Sequence, residues 1–388
     1  MTRCPLCFHQ LSDDVYAWVC TSTSCPAKPD QLATSYSGFP VSLRQGMVVH
    51  RPQERSRGWQ PPAVVHCPAC GSSTSAQVCT NCHYGPLPAD WRQSSATCVA
   101  MAGARATGKS LYVGVAVKQL ELLAAKLRTT LEFANDRTRQ VYRTRYERPL
   151  YEERGLMQPT ATVNVDSAYQ REPLIFSLGM LNGQRRYLVV RDVAGEDLEA
   201  DTVDVAHLQF FGHADGVLFL FDPLRVGAVR NQLQGIVPAH GLLGGDPQTV
   251  LSNVLRLIGT RSPRLAVVVS KFDALQELRA VSGTTWSKVM SNSGAATLRD
   301  PSVVEASWNA DDGYLVHHEV RSILLALGAE SIVLSVERPN NGHPLEHRFF
   351  AVSALGESPR GEKLHSRGIA PYRCLDPLKW ILANNGVL

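Results

Sequence analysis

The chain has 388 residues, which at about 150 residues per domain predicts two to three domains. Hydrophobic residues make up 44% and charged residues 19%, a profile that excludes disordered and fibrous classes and predicts a sizeable core. The net charge of +4 is too small to argue by itself for nucleic acid or a membrane surface. No apolar run approaches the ~18 residues of a bilayer span, and no apolar signal core follows Met1. Neither a membrane span nor secretion is therefore expected, and the expected compartment is a reducing cytoplasm.

Residues 1–92 read as a double zinc-binding module with a linker at 51–62, and they hold eight of the ten cysteines. Cys67 and Cys70, followed after eight residues by Cys79 and Cys82, form a four-cysteine zinc signature in which Pro68 and Gly71 shape the turn. Cys4, Cys7, Cys20 and Cys25 make a second, looser set. Sequential pairing, with one zinc per set, is the simple expectation. A cross-braced arrangement, with Cys4 and Cys7 sharing a metal with Cys67 and Cys70, stays open. His9, His66 and His83 stand nearby, but four thiolates already fill each tetrahedron. Zinc would stabilise a region too small and polar for a core of its own.

From residue 93 to the end the pattern is that of a second domain. Residues 97–101 read as a buried strand, with Cys98, like Cys374 near the end, a buried small hydrophobe. Next come Gly103, Ala104, Arg105, Ala106, Thr107, Gly108, Lys109 and Ser110, the full G-x-x-x-x-G-K-S loop. Val113, Val117, Leu120, Ala124 and Leu127 follow at helical spacing. Glycines let the backbone wrap an anion, and the helix N-terminus adds a favourable dipole. Lys109 would bridge β- and γ-phosphates and Ser110 would ligate Mg²⁺. Arg105, inside the loop, either reaches the γ-phosphate, obstructs an incoming arginine, or faces solvent. Further on, Arg137, Arg139, Arg143, Arg145, Arg148 and Arg154 alternate with Tyr142, Tyr146 and Tyr151. Contact with nucleic acid or with an acidic partner is one reading; a solvated helix face shared with Glu147, Glu152 and Glu153 is favoured.

Strand patterns at 174–178, 187–190, 217–221, 265–269 and 349–352 alternate with helical ones at 198–210, 248–258, 316–327 and 378–382. This predicts an α/β fold, a doubly wound and mostly parallel sheet covered on both faces. The polar stretch 275–313 reads as a surface insertion. Three loops after strands carry chemistry. Asp192 and Gly195 form D-x-x-G, in which the carboxylate would hold Mg²⁺ through water and the Gly195 N–H would touch the γ-phosphate. Ser270-Lys271-Phe272-Asp273 resembles the [NT]-K-x-D guanine motif. Its carboxylate can accept two hydrogen bonds from guanine, donors that adenine lacks, while the Lys271 stem packs across the base. Ser353-Ala354 resembles the S-A motif, whose backbone N–H meets the guanine carbonyl.

With these motifs in this order, residues 96–388 resemble the translation-factor-like (TRAFAC) class of P-loop GTPases. More narrowly they resemble the bacterial double-GTPase type 2 family, a likeness that extends to Asp376-Pro377-Leu378-Lys379-Trp380 near the C-terminus. The resemblance implies a regulatory switch that binds GTP and GDP with Mg²⁺ and hydrolyses slowly without a partner. Together with the cysteine modules this predicts a protein partner docked by the two zinc modules, with a second GTPase among the candidates. The resemblance also implies a switch threonine, for which Thr160 after Pro159 comes first and Thr162 second. Two departures stand out: Ser270 replaces the usual Asn or Thr, and Glu196 occupies the place of a water-orienting Gln. Glu196 either handles water as a catalytic group or is a helix-start acid. Two other classes compete: a GTP-dependent nucleic-acid-binding factor, and a nucleotide-bound scaffold that hydrolyses nothing.

Overall fold

The computed structural model describes residues 2–53, 58–155, 172–200, 206–225, 227–232, 245–281, 285–339, 342–357, 364 and 368–388. Its centre is a seven-stranded sheet of β1 (Ser95–Ala102), β2 (Glu132–Phe133), β3 (Leu174–Leu181), β4 (Gln184–Arg191), β5 (Gly216–Phe221), β6 (Arg264–Val269) and β7 (His347–Ala351). The order across the sheet is β7-β6-β5-β1-β4-β3-β2. β7, β6, β5, β1 and β4 run parallel, whereas β3 pairs antiparallel with both β4 and β2. Asn182 (φ 52°) and Gly183 (φ 75°) turn the chain from β3 into β4, the left-handed pair that a two-residue hairpin of type I′ needs.

Both faces of the sheet are covered, which is why the parallel strands are almost continuously apolar. On one face Cys98, Ala100 and Ala102 pack with Val189, Val217, Phe219 and Val267. On the other, Val99 and Met101 pack with Val190, Leu218, Leu220 and Ala266. Helices Pro247–Ile258, Ala310–Ala326 and Glu330–Glu337 contribute to the first core, and Lys109–Lys126 and Asp376–Asn384 to the second. Chain reversal thus occurs on either side of β1, and the carboxyl ends of β1, β4, β5, β6 and β7 share one edge, where open α/β sheets build their ligand sites.

The helix expected at 198–210 is not continuous. A short helix, Gly195–Glu199, ends with Ala200 extended (φ −66°, ψ 142°), and 206–213 is a 3₁₀ turn. Asn253 Nδ2 donates to the Leu198 and Ala200 carbonyls at 2.8 and 3.3 Å, satisfying acceptors that a longer helix would have used. The Arg/Tyr stretch is a helix, Asp136–Tyr142, continuing as a widened helix, Arg143–Glu152, with Pro149 inside. Tyr142 and Tyr146 are buried, and Tyr142 donates to the Gly114 carbonyl at 2.9 Å. Four of the six arginines pair with acids: Arg137 with Glu172, Arg139 with Asp136, Arg143 with Glu147 and Arg148 with Glu153. At these four positions the positive charge is compensated.

The stretch 275–313 is fastened to the core by a buried arginine. Arg373, fully buried, donates to Asp312 at 2.6 Å, to the Ala296 and Arg299 carbonyls at 3.0 and 2.8 Å, and to Asp376. At the N-terminus, Gly46–His50, Val15–Val19 and Gln77–Val78 form a small antiparallel sheet. Among the described residues no helix is long and apolar enough to cross a membrane.

Candidate nucleotide site and metal centres

The loop after β1 leads straight into helix Lys109–Lys126. Its backbone is left-handed at Gly103 (φ 142°), Ala106 (φ 63°) and Gly108 (φ 88°). A Cβ at Gly103 would stand 2.5 Å from the Leu220 carbonyl oxygen, so glycine is required by contact as well as by φ. Thr107 Oγ1 donates to the Ala104 carbonyl at 2.9 Å and pins the loop. Lys109 is buried and folds back, its Nζ donating to the Gly103 and Ala104 carbonyls at 2.8 and 3.0 Å. Burial pushes its ammonium down, against the opposing pull of Asp192, Glu196 and Glu199. Ser110 Oγ donates to Asp192 Oδ2 at 2.7 Å, so the two groups expected around Mg²⁺ are adjacent.

The Gly195–Glu199 helix lies directly on this loop. A Cβ at Gly195 would be 2.2 Å from the Arg105 nitrogen. Glu199 Oε1 accepts the Arg105 N–H at 2.7 Å, and Arg105 Nε pairs with Glu196 at 3.0 Å. Arg105 and Glu196, read separately from the sequence, are therefore one ion pair. Thr160 and Thr162 lie outside the described residues.

The residues expected from the sequence to recognise a base meet at the ends of β6 and β7. Asp273 Oδ1 accepts the Ser353 hydroxyl at 2.6 Å, and the Phe272 N–H donates to the Val352 carbonyl at 3.0 Å. Ala354 follows, partly buried. Lys271 is left-handed (φ 51°) and its Nζ bonds Asp222 at 2.6 Å. Ser270 Oγ donates to the Phe221 carbonyl at 3.0 Å rather than to the phosphate loop. Sequence reasoning missed Asp222 and Glu199. Asp222 follows a buried strand directly, a signal available in the sequence; Glu199 had none beyond its place in a helical pattern.

The eight N-terminal cysteines form two groups, each with its sulfur atoms all within 4.8 Å of one another. One holds Cys4, Cys7, Cys79 and Cys82, the other Cys20, Cys25, Cys67 and Cys70. This overturns sequential pairing and also the cross-braced alternative: the outer pairs join around the inner ones. Sulfur separations of 3.5 and 3.7 Å in the first group and 3.7 and 4.0 Å in the second match the ~3.8 Å between tetrahedral thiolates at about 2.3 Å from zinc. They are far too long for disulfides. In three turns the first cysteine N–H bonds the carbonyl five residues on, and the N–H four residues on bonds back. The residue after the second cysteine is left-handed in each: Phe8 (φ 57°), Gly71 (φ 72°) and His83 (φ 56°). Burial pushes the Cys4 thiol up, whereas bonds from Cys4, Cys79 and Cys82 hold the Cys7 thiol low. His83 is spent on Asp30 at 2.8 Å and ligates nothing.

Fold and loop together define an α/β protein with a phosphate-loop-type strand, loop and helix at the carboxyl edge of a mostly parallel sheet. Over 389 residues the chain is 46% identical to a Mycolicibacterium smegmatis (strain ATCC 700084 / mc(2)155) protein named "Putative ESX-1 scaffolding and assembly protein SaeC", with 100% of both chains covered. The chain belongs to the SaeC family. No family model matches it. Among solved structures it is similar to the S. cerevisiae Ski7 GTPase-like domain bound to GTP, at 11% identity and a TM-score of 0.33, over 75% of this chain and 50% of that one. It is also similar to the bacterial selenocysteine-specific elongation factor EF-Sec, at 13% identity and a TM-score of 0.24, over 66% of this chain and 25% of that one. The chain thus spans half of the first protein and a quarter of the second.

Proposed function

We propose that this chain is a guanine-nucleotide-binding assembly scaffold: a nucleotide domain at 93–388 carrying a zinc-stabilised region at 1–92 that takes part in docking protein partners. The observation that carries the nucleotide reading is the shared edge. The Gly103–Ser110 loop, the Ser110–Asp192 contact at 2.7 Å and the Asp273–Ser353 contact at 2.6 Å all stand at carboxyl ends of parallel strands. The name of the M. smegmatis relative supports the assembly role within an ESX-1 system. The finer subclass, the double-GTPase type 2 family, rests on the sequence likeness alone.

In this reading Lys109 leaves its loop carbonyls for the β- and γ-phosphates, whose charge compensates the ammonium. Ser110 through its hydroxyl and Asp192 through water would hold Mg²⁺, a donor set that suits a cation otherwise held by water and phosphate oxygens. That ion would supply charge stabilisation during phosphoryl transfer. Asp273, Lys271, Ser353 and Ala354 select the guanine base, and Gly195 lets the following helix approach the loop. Thr160 would complete the site, and Glu196 would orient the attacking water. Glu196 is tied to Arg105, so hydrolysis is slow, and the nucleotide acts more as a held ligand than as a fast clock. The two cysteine groups hold two zinc ions, and the compartment is the cytoplasm. The test is a paired measurement on the full chain. Wild-type protein binds GDP and co-purifies with ESX-1 components, and Lys109→Ala loses both. Retained GDP binding in Lys109→Ala would sink the nucleotide reading; partner binding indifferent to Lys109 would separate scaffold from nucleotide.

A further inference from the structure

The two cysteine groups differ in where they are built. Cys20, Cys25 and Cys67 form a small core of their own, with Met47 and Cys70 against it. Cys4, Cys7, Cys79 and Cys82, by contrast, lie inside the same core as β1, β4 and β5. Several contacts make that union. Arg3 Nε meets Asp215 at 3.2 Å, and Asp215 Oδ2 accepts the Cys98 N–H of β1 at 2.7 Å. Trp91 Nε1 donates to the Arg3 carbonyl at 2.9 Å. Phe8, next to Cys7, meets Phe210 edge-on with ring centres 5.2 Å apart.

The most direct contact is Arg191. It is the last residue of β4 and only 5% exposed. Its Nη1 donates to the carbonyl of Leu6 at 2.6 Å, and Leu6 sits between Cys4 and Cys7. Its guanidinium stacks on Phe210 at 3.8 Å. The next residue is Asp192, which holds Ser110 of the phosphate-loop helix. A buried guanidinium needs its acceptors held in place. Metal at the first group would fix the Cys4–Cys7 turn and with it the Leu6 carbonyl; an open turn would remove that acceptor one residue from Asp192.

We propose that metal at Cys4, Cys7, Cys79 and Cys82 is thermodynamically coupled to nucleotide at the phosphate loop through Arg191, a positioning residue, while the second cysteine group is uncoupled. This rests on the nucleotide reading above. Coupling of this kind is reciprocal, so nucleotide must also hold the metal.

The test follows metal release to a chromogenic chelator from the zinc-loaded full chain, with and without saturating GDP, beside a separate GDP titration and the equilibrium zinc partition between protein and chelator. The second group, with Cys70 partly exposed, gives the faster phase, and the fully buried first group the slower. GDP slows the slower phase about fivefold or more, the low end of ordinary coupling between sites, and leaves the faster one unchanged. In Arg191→Met, which keeps an apolar stem over Phe210, both metals bind and the GDP effect disappears. Should Arg191→Met fail to fold, Arg191→Leu, which likewise has no donor for the Leu6 carbonyl, is read the same way. GDP that binds without changing either phase, that slows both equally, or that acts undiminished in the Arg191 variant overturns the coupling alone. A wild-type chain that binds no GDP overturns the nucleotide reading, and the coupling with it.

Discussion

Asp273 and Ser353, 80 residues apart in the chain, meet through a 2.6 Å hydrogen bond in which the hydroxyl donates to Oδ1. The same Ser353 oxygen accepts the Gly356 N–H at 2.8 Å, so the hydroxyl is held from both sides and orients the carboxylate. A carboxylate held still discriminates between bases because a wrong base leaves it unpaired. Affinity for GDP is expected to exceed that for ADP by about 100-fold or more. Asp273→Asn narrows the gap most, and Ser353→Ala narrows it less. Equal affinities in the wild type, read by calorimetric titration, would remove the guanine assignment.

The nested cysteine pairing makes a prediction that sequential pairing reverses. Protein purified without added metal carries about two zinc ions, one for each four-thiolate group. Cys4→Ser with Cys79→Ser removes one of them, since both residues belong to one group. Cys4→Ser with Cys20→Ser removes both. Elemental analysis of the two double variants decides the pairing, and iron in place of zinc would contradict the zinc assignment.

The Arg105–Glu196 pair, 3.0 Å apart, bears on hydrolysis. Intrinsic GTP turnover is expected to be slow, on the order of 10⁻⁴–10⁻² s⁻¹. Arg105→Ala releases Glu196 and removes a bulky side chain from the loop, so the rate stays level or rises. A fall of about tenfold in single-turnover hydrolysis, roughly 1.4 kcal/mol, would instead make Arg105 a group acting on the transferred phosphate.

Arg373 is fully buried between Asp312 and Asp376. Removing one partner of a buried ionic cluster leaves its counter-charges unpaired and costs about 3–5 kcal/mol. Arg373→Met is expected to lower the urea midpoint accordingly. A variant that also replaces Asp312 and Asp376 with Asn should recover part of the loss. No recovery would mean that the carbonyl contacts at 296 and 299 matter more than the ion pairs.

His317 accepts the Phe349 N–H at 3.1 Å through Nδ1, a bond only the neutral ring can make. Burial pushes its pKa down to about 4, helped by His318, His347 and Arg348. The unfolded chain takes up this proton near pH 6.5 and the folded chain near pH 4. The stabilisation is therefore complete above about pH 6.5 and is lost as pH falls toward 4. Between pH 7 and pH 5 the wild type should lose on the order of 1 kcal/mol more than His317→Gln, allowing for solvent screening. Parallel slopes in urea titrations would show that the His317 ring does not carry this dependence.

The sequence by itself determined what depends on local order along the chain. The strand, loop and helix around Gly103–Ser110 were legible because strand, glycines, Lys109 and Ser110 are contiguous, and the parallel strands because burial on both faces demands continuous apolar runs. The Asn182-Gly183 dipeptide is itself a local mark of the β3–β4 hairpin. Only the tertiary structure decided matters that hang on long loops closing. Which cysteines come together depends on where the 50-residue excursion between Cys20 and Cys70 returns, and the spacing of each pair is compatible with several closures. The break after Glu199 depends on Asn253, 55 residues away from Leu198, not on local propensity. Arg191, Asp222 and Glu199 acquire roles only when folding sets each against a partner far along the chain. A charged residue at a strand end carries no mark, in sequence, of the acceptor it will meet.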